Sequence, residues 1–403
     1  MTAPLAAQDA AADGEPATLR TLARLIAAQV CIHAAMTGLR MAAPLLALQH
    51  GYGPAAVGFL LALFALSQVF LALPAGRYAD RHGLRRPVRL AVVAASLGAA
   101  GALALPVFAM LCVGALLTGG ATGVATIALQ RHVGRAAQGA AQLRSLFSWL
   151  AIGPAVANFL GPFSAGLLID HAGSQAGSLT GFRASFALLA LFPLLTWLLV
   201  RTARELPPVL AAAGGPRASA WDLLADERFR RLLLVNWLLS SCWDVHTFVV
   251  PLLGHERGLS ASVIGTILGA FAVAAALVRV LIPLVAGHLR EASVVAGAMV
   301  AAAALFGVYP LLPTALLMGA CSVLLGLALG SVQPMVMSLL HQITPAHRHG
   351  EALGLRVMAI NGSSVAMPLL FGSVGTVIGV GGLFWVVGAL VGVGSGMARR
   401  LRA

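Results

Sequence analysis

The chain has 403 residues, of which 59% are hydrophobic and 10% charged, and its formal net charge is +13. Water-soluble domains carry roughly 25% charged residues, so this composition excludes an ordinary soluble globule. The basic balance invites a nucleic-acid reading, but all 26 basic residues are arginine and they gather between apolar segments, as the positive-inside rule describes for membrane proteins.

Residues 1–20 are polar and Ala-rich, with Asp9, Asp13 and Glu15 and no signal-peptide layout. They are expected to be a disordered cytoplasmic tail. Twelve apolar segments of membrane length follow. Six cover 22–48, 55–76, 88–109, 111–130, 145–169 and 182–200. Six more cover 231–254, 261–287, 292–312, 314–340, 352–376 and 379–398. The expected fold class is an all-α polytopic membrane protein with two six-helix halves, 21–201 and 231–403. Residues 202–230 form a linker with Pro207-Pro208, Gly214-Gly215-Pro216 and a charged piece from Trp221 to Arg228. A short amphipathic surface helix is expected in it. Outside the cytoplasmic segments fall four arginines: Arg183 and Arg257 in outer loops, Arg40 and Arg279 within helices. That asymmetry predicts both termini in the cytoplasm, and the expected location is the cell (inner) membrane.

An internal repeat supports the two-half plan. Gly51–Gly58, continuing to Leu61 and Phe64-Ala65, recurs as Gly258–Gly265, Leu268 and Phe271-Ala272. The approach to the second segment is thus echoed at the eighth.

Between the second and third segments lies a concentrated basic stretch, Gly76-Arg77-Tyr78-Ala79-Asp80-Arg81-His82-Gly83-Leu84-Arg85-Arg86-Pro87. An apolar helix is expected to end at Gly76, and the stretch to form a tight charged turn. It resembles the loop between the second and third helices of major facilitator superfamily transporters, Gly-x-x-x-Asp-Arg-x-Gly-Arg-Arg, with the basic pair Arg85-Arg86 shifted one place. The resemblance implies twelve helices in two parallel repeats with a substrate site between them near mid-membrane. It also implies that Gly76, Asp80, Arg81, Gly83, Arg85 and Arg86 form a gate that latches the halves on the cytoplasmic side. Asp80 is expected to pair with Arg81 or to cap a helix of the other half. The matching loop of the second half, Ala286–Glu291, is degenerate, so the latch is expected to be asymmetric.

The fifth segment carries Gly161-Pro162-Phe163-Ser164-Ala165-Gly166, which resembles the Gly-Pro-x-x-Gly-Gly pattern of the superfamily's antiporters. Gly161, Pro162 and Gly166 match it, and Ala165 departs from it. Small residues in a Gly-rich membrane protein also read as plain helix packing. In the fourth segment the Arg and Gln of proton-coupled exporters are replaced by Ala115 and Thr118, so no role of that Arg carries over.

Ionisable residues inside apolar segments cost at least ~2.5–3.5 kcal/mol on insertion scales and mark functional sites. His33, Thr37, Arg40 and Pro44 share one helical stripe, as do Trp237, Ser240, Asp244 and Thr247. The expectation is that Arg40 and Asp244 neutralise each other across a central cavity until protonation or substrate separates them. The bland alternative is a permanent structural pair, or a separate partner for each. His33, Asn158, Gln333 and Asn361 are further candidates for the cavity, and Trp237 for its wall. Arg279 is expected near the cytoplasmic end of its helix. The histidines His341, His347 and His349 read as solvated or interfacial. The four cysteines lack metal-site spacing, and no nucleophile–base grouping or phosphate loop occurs. No cofactor, metal or nucleic acid is expected, and an enzyme is disfavoured. The expected partners are a small-molecule substrate, protons and the lipid bilayer, with the protein a monomer. The expected function is secondary transport by alternating access, as a proton-coupled exporter (antiporter) of small amphipathic or drug-like molecules; the alternatives are a facilitator or importer of an organic anion and, more distantly, a non-transporting receptor on the same fold.

Overall fold

The computed structural model describes residues 5–52, 54–173, 178–206, 219–259 and 261–401. The helices of the first half are α1 (Leu5–Gln49), α2 (Pro54–His82), α3 (Arg85–Ala104), α4 (Phe108–Ala136), α5 (Ala140–Leu150), α6 (Ile152–His171) and α7 (Leu179–Val200). Those of the second are α8 (Glu227–Glu256), α9 (Ala261–Val285), α10 (Glu291–Val308), α11 (Ala315–Gly330), α12 (Val332–Ile343) and α13 (His349–Arg399). Among the described residues there is no strand.

These helices make the twelve crossings that hydropathy predicts. Helices α5 and α6 are one span, bent at Ala151, and α11 and α12 are one span, bent at Ser331. Proline explains both bends. Pro154 and Pro334 carry no N–H, so the carbonyls of Leu150 and Gly330 lose their helical donors. Helix α13 holds two crossings and turns between them at Gly379, whose φ of 76° suits glycine.

Three expectations need correction. The second helix does not stop at Gly76 but runs to His82, so most of the basic stretch is helical; only Gly83 and Leu84 separate it from α3. Arg77, Ala79 and Arg81 are good helix formers and carry the turn on past the apolar region. Residues 5–20 are helical rather than disordered, continuing α1 through an Ala-rich segment. The linker helix is a six-residue 3-10 turn, Ala220–Ala225; Pro207-Pro208 and Gly214-Gly215-Pro216 lie outside the described residues, as do Gly53 and Ser260 of the repeat.

The apolar core is divided in a way that reports the state of the protein. A smaller cluster belongs wholly to the first half and to the ends of its helices far from the termini, including Leu39, Leu46, Leu60, Leu111 and Phe186. The larger cluster joins the other ends of the first-half helices (Leu25, Ala75, Val88, Ala128, Phe147) to the second half (Val245, Leu340, Leu353). Among the described residues, the apolar packing that joins the halves therefore lies on the side that holds both termini.

Helices α1 and α6 cross where Gly38 meets Gly161. A Cβ on Gly161 would fall 2.3 Å from Thr37 Oγ1 and 2.4 Å from the Ala34 carbonyl. Thr37 seals the crossing by donating to the Ala157 carbonyl at 3.0 Å. Gly166 lies one further turn along the same seam, facing Met41. In this state the Gly161-Pro162…Gly166 motif is a packing seam. Gly161→Val is expected to cost about 1–3 kcal/mol through overpacking, read as a lower thermal midpoint of the detergent-purified protein, whereas Gly269→Val, where a Cβ meets nothing within 4 Å, should change it far less.

Candidate functional site

Two polar joints close the termini side. The first is built on Asp80, near the end of α2. Its carboxylate accepts from Arg131 Nε of α4 at 2.5 Å and from the backbone N–H groups of Gly350 and Glu351 at 2.9 and 3.1 Å. The two side chains of the ion pair are 3% and 8% exposed. Asp80 therefore neutralises a buried arginine and caps the first turn of α13, where the helix dipole favours an anion. The backbones must nearly touch for this. A Cβ on Gly76 would lie 2.0 Å from the Gly350 carbonyl, and one on Gly350 would lie 2.2 Å from the Gly76 carbonyl. Glu351 adds ion pairs to Arg77 at 3.0 Å and to Arg348 at 2.8 Å.

Cap and cross-half contact match the expectation for Asp80, but its arginine is Arg131, not Arg81. Arg81 and Arg86 take part in no ion pair among the described residues. Gly83 and Arg85 act within the first half. The Glu205 carboxylate accepts from the N–H groups of Leu84 and Arg85, and the Arg85 side chain donates to the Ala203 carbonyl. Gly83 has φ 74°, and a Cβ there would collide with Glu205.

The second joint uses the loop whose sequence is degenerate. Arg144 of α5 donates from Nε to the Ala286 carbonyl at 2.8 Å and pairs through Nη1 with Glu291 at 2.6 Å. Ser338 and Gln342 of α12 also donate to Glu291, at 2.9 and 2.8 Å. Between the joints His341 packs under Gly134, 4.8 Å from the Phe147 ring and 4.4 Å from that of His349. His341 and His349 are thus buried, not solvated. No metal-binding cluster occurs among the described residues.

A cavity of about 380 Å³ lies between the halves. Helix α6 contributes Pro154, Ala155 and Asn158; α8 contributes Asn236, Ser240, Trp243 and Asp244; α9, α12 and α13 contribute Arg279, Gln333 and Arg356. The two helix bends hold Arg279. It donates to the Ala151 carbonyl at 3.1 Å and to the Gly330 carbonyl at 3.3 Å, the latter freed by Pro334. Its guanidinium also sits 5.7 Å from the centroid of Trp243. Arg279 is thus satisfied by dipoles, with its full charge uncompensated. Arg356 is 6% exposed and its Nε has no partner. Asn236 Nδ2 is likewise buried without a partner. Asp244, the cavity's carboxylate, belongs to none of the ion pairs among the described residues.

The cavity brings together three predicted residues, Asn158, Asp244 and Gln333. The expected Arg40–Asp244 pair is not formed. Arg40 is exposed and outside the cavity lining, because α1 and α8 have no close packing on the open side. His33 stands beside Asn158 with Nδ1 unpartnered. Trp237 packs against the shared core, and Trp243 forms the wall instead. Asn361 returns its Nδ2 donor to the Val357 carbonyl at 3.0 Å. His246, outside the predicted stripe, bonds Ser322 and stacks on Phe271 in the core. Arg279, near the end of α9 as expected, lines the cavity. Arg356, Asn236 and Trp243 were missed. Arg356 was grouped with the cytoplasmic arginines although it falls inside the eleventh apolar segment, which is the signal that would have found it.

A family model described as Major Facilitator Superfamily matches residues 25–318 and 232–402. Among solved structures, the chain resembles a bacterial homologue of the iron transporter ferroportin in an outward-facing state at 16% identity, covering 94% of this chain and 99% of that one with a TM-score of 0.75. It resembles the human organic anion transporter MFSD10 (TETRAN) at 16% identity, covering 94% and 99%, with a TM-score of 0.76. The transporter FucP in an outward conformation is similar at 16% identity, covering 94% and 98%, with a TM-score of 0.77. At that identity these likenesses establish the fold. No curated sequence matches the chain.

The Asp80 joint makes a specific claim about coupling. Asp80→Asn leaves Arg131 buried without its anion, a loss of about 3–5 kcal/mol in interior sites. It should lower the thermal midpoint in detergent. Arg131→Gln added to it should recover part of the loss, and simply additive losses from the two changes would mean that they share no interaction.

Proposed function

The chain belongs to the Major Facilitator Superfamily, and from that premise we propose that it is a secondary transporter that moves a small organic anion by alternating access. One observation carries this reading: Arg279 and Arg356 face a single carboxylate, Asp244, in the cavity between the halves. Empty, that site holds two positive charges and one negative. Enclosing an uncompensated charge away from water is costly. A monoanionic cargo brings the sum to zero and so favours closure of the open side around it. Arg356, with its free Nε, is the hook for a carboxylate or phosphate. Asn158, Gln333 and Asn236 supply orienting hydrogen bonds, and Trp243 a flat apolar wall.

The joints at Asp80 and Glu291 are the inner gate in this proposal, and they part when the cavity opens towards the termini side. The arginine asymmetry supports reading that side as the cytoplasm. One of the fold neighbours is the human organic anion transporter MFSD10; the cargo class coincides, but the proposal rests on the cavity.

A second reading, proton-coupled export of amphipathic compounds, is favoured by Asp244 itself. It stands in the cavity beside Trp243 and in no ion pair among the described residues, as a group that gains and loses a proton during the cycle would. The two readings share a carrier and differ in what neutralises it.

Flux in proteoliposomes separates them. Anion transport is expected, with Arg356→Gln weakening apparent affinity about 10- to 100-fold, the equivalent of one charged hydrogen bond of about 1.5–3 kcal/mol. Transport of cationic amphipaths driven by an imposed pH gradient, with no anion flux, would overturn the first reading. If Asp244→Asn leaves gradient-driven flux intact, Asp244 is not the coupling group. Saturable binding with no flux of any compound points to a receptor.

A further inference from the structure

A second cavity, of about 820 Å³, lies outside the interface between the halves. It is a groove on the second half, bounded by the start of α10, by Leu339 of α12, and by the end of α13 with Leu401. Two arginines stand at its mouth. Arg290 immediately precedes α10 and Arg399 is the last residue of α13, both at the membrane face that holds the termini. Both are exposed, and neither takes part in an ion pair among the described residues. The groove's carboxylate, Glu291, is already held by Arg144, Ser338 and Gln342, so it does not neutralise them. From the mouth the groove follows one face of α10 into the bilayer along small residues: Ser293, Ala296, Gly297, Val300 and Ala301. A Cβ on Gly297 would meet nothing within 4 Å. The opening there is therefore real space beside the helix, not a contact with a neighbouring one.

We propose that this groove is a binding site for an anionic phospholipid. The phosphodiester sits between Arg290 and Arg399, and the upper part of an acyl chain lies in the channel along α10. The charge pattern selects this occupant: two uncompensated cations at headgroup depth, with an apolar trough of small side chains below them. A soluble phosphate would use the arginines and leave the trough empty. A zwitterionic lipid would bring its own cation to the same place. Arginines at the membrane surface attract anionic lipid by about 1 kcal/mol each. The site lies wholly within the second half, so its occupancy does not depend on what the central cavity carries.

Native mass spectrometry of the full chain in non-ionic detergent tests it, with phosphatidylglycerol, phosphatidylcholine or glycerol 3-phosphate added at equal concentration. The expected result is a retained phosphatidylglycerol adduct, with phosphatidylcholine and glycerol 3-phosphate retained far less. Arg290→Gln and Arg399→Gln should each weaken the adduct about fivefold. Gly297→Leu, which fills the trough and keeps both arginines, should also remove it. The thermal midpoint of each variant without lipid reports whether it is folded. Equal retention of phosphatidylcholine overturns the charge selection. Equal retention of glycerol 3-phosphate makes the site a soluble-anion pocket. An adduct unchanged in Gly297→Leu, or in the double arginine variant, places the lipid elsewhere and overturns the proposal.

Discussion

One carboxylate ties the two halves together. Asp80 answers three demands at once: the charge of Arg131, buried in α4, and the two backbone N–H groups that open α13. Each demand would be costly if left unmet, because none of these groups reaches bulk water. The contact also requires that α2 and α13 meet without side chains, which Gly76 and Gly350 allow. The closed side is thus defined by a polar joint that glycine makes geometrically possible. The Arg144–Glu291 joint repeats the logic with different parts, an arginine on a loop carbonyl and a carboxylate shared by three donors.

The cavity depends on a second constraint, the inability of proline to donate. Pro154 and Pro334 bend two of the helices around it, and Pro334 frees the Gly330 carbonyl for Arg279. Arg279 lies on carbonyls at both bends. A guanidinium can in this way be held deep in the protein by backbone dipoles, leaving its charge available to the site. Together with Arg356 it gives the cavity a surplus of positive charge over Asp244, and the proposed selection of an anionic cargo follows from that surplus.

The division of the core links these two regions. Among the described residues, apolar packing runs across both halves on the termini side and stays within each half on the other. The same division explains why Arg40 and Asp244 do not meet. In this state α1 and α8 do not pack closely among the described residues. The Gly161 seam, by contrast, lies inside one half and is independent of which side is open.

Hydropathy alone determined the twelve crossings, because backbone and side chains in lipid have no water to fall back on and the apolar lengths must match the bilayer. Local pattern left Asp80 two roles, pairing with Arg81 or capping a helix of the other half, and the fold chose the cap together with Arg131. Tertiary structure decided the rest. Arg131, Arg144 and Arg356 look in sequence like face-side arginines, yet each is buried. Arg131 is 51 residues from its partner and Arg144 is 147 from its own. Whether an arginine ends in water, against a carboxylate or alone in a cavity is set by which helices pack beside it. Packing partners are chosen by contacts far apart in the chain, and local sequence carries no record of them.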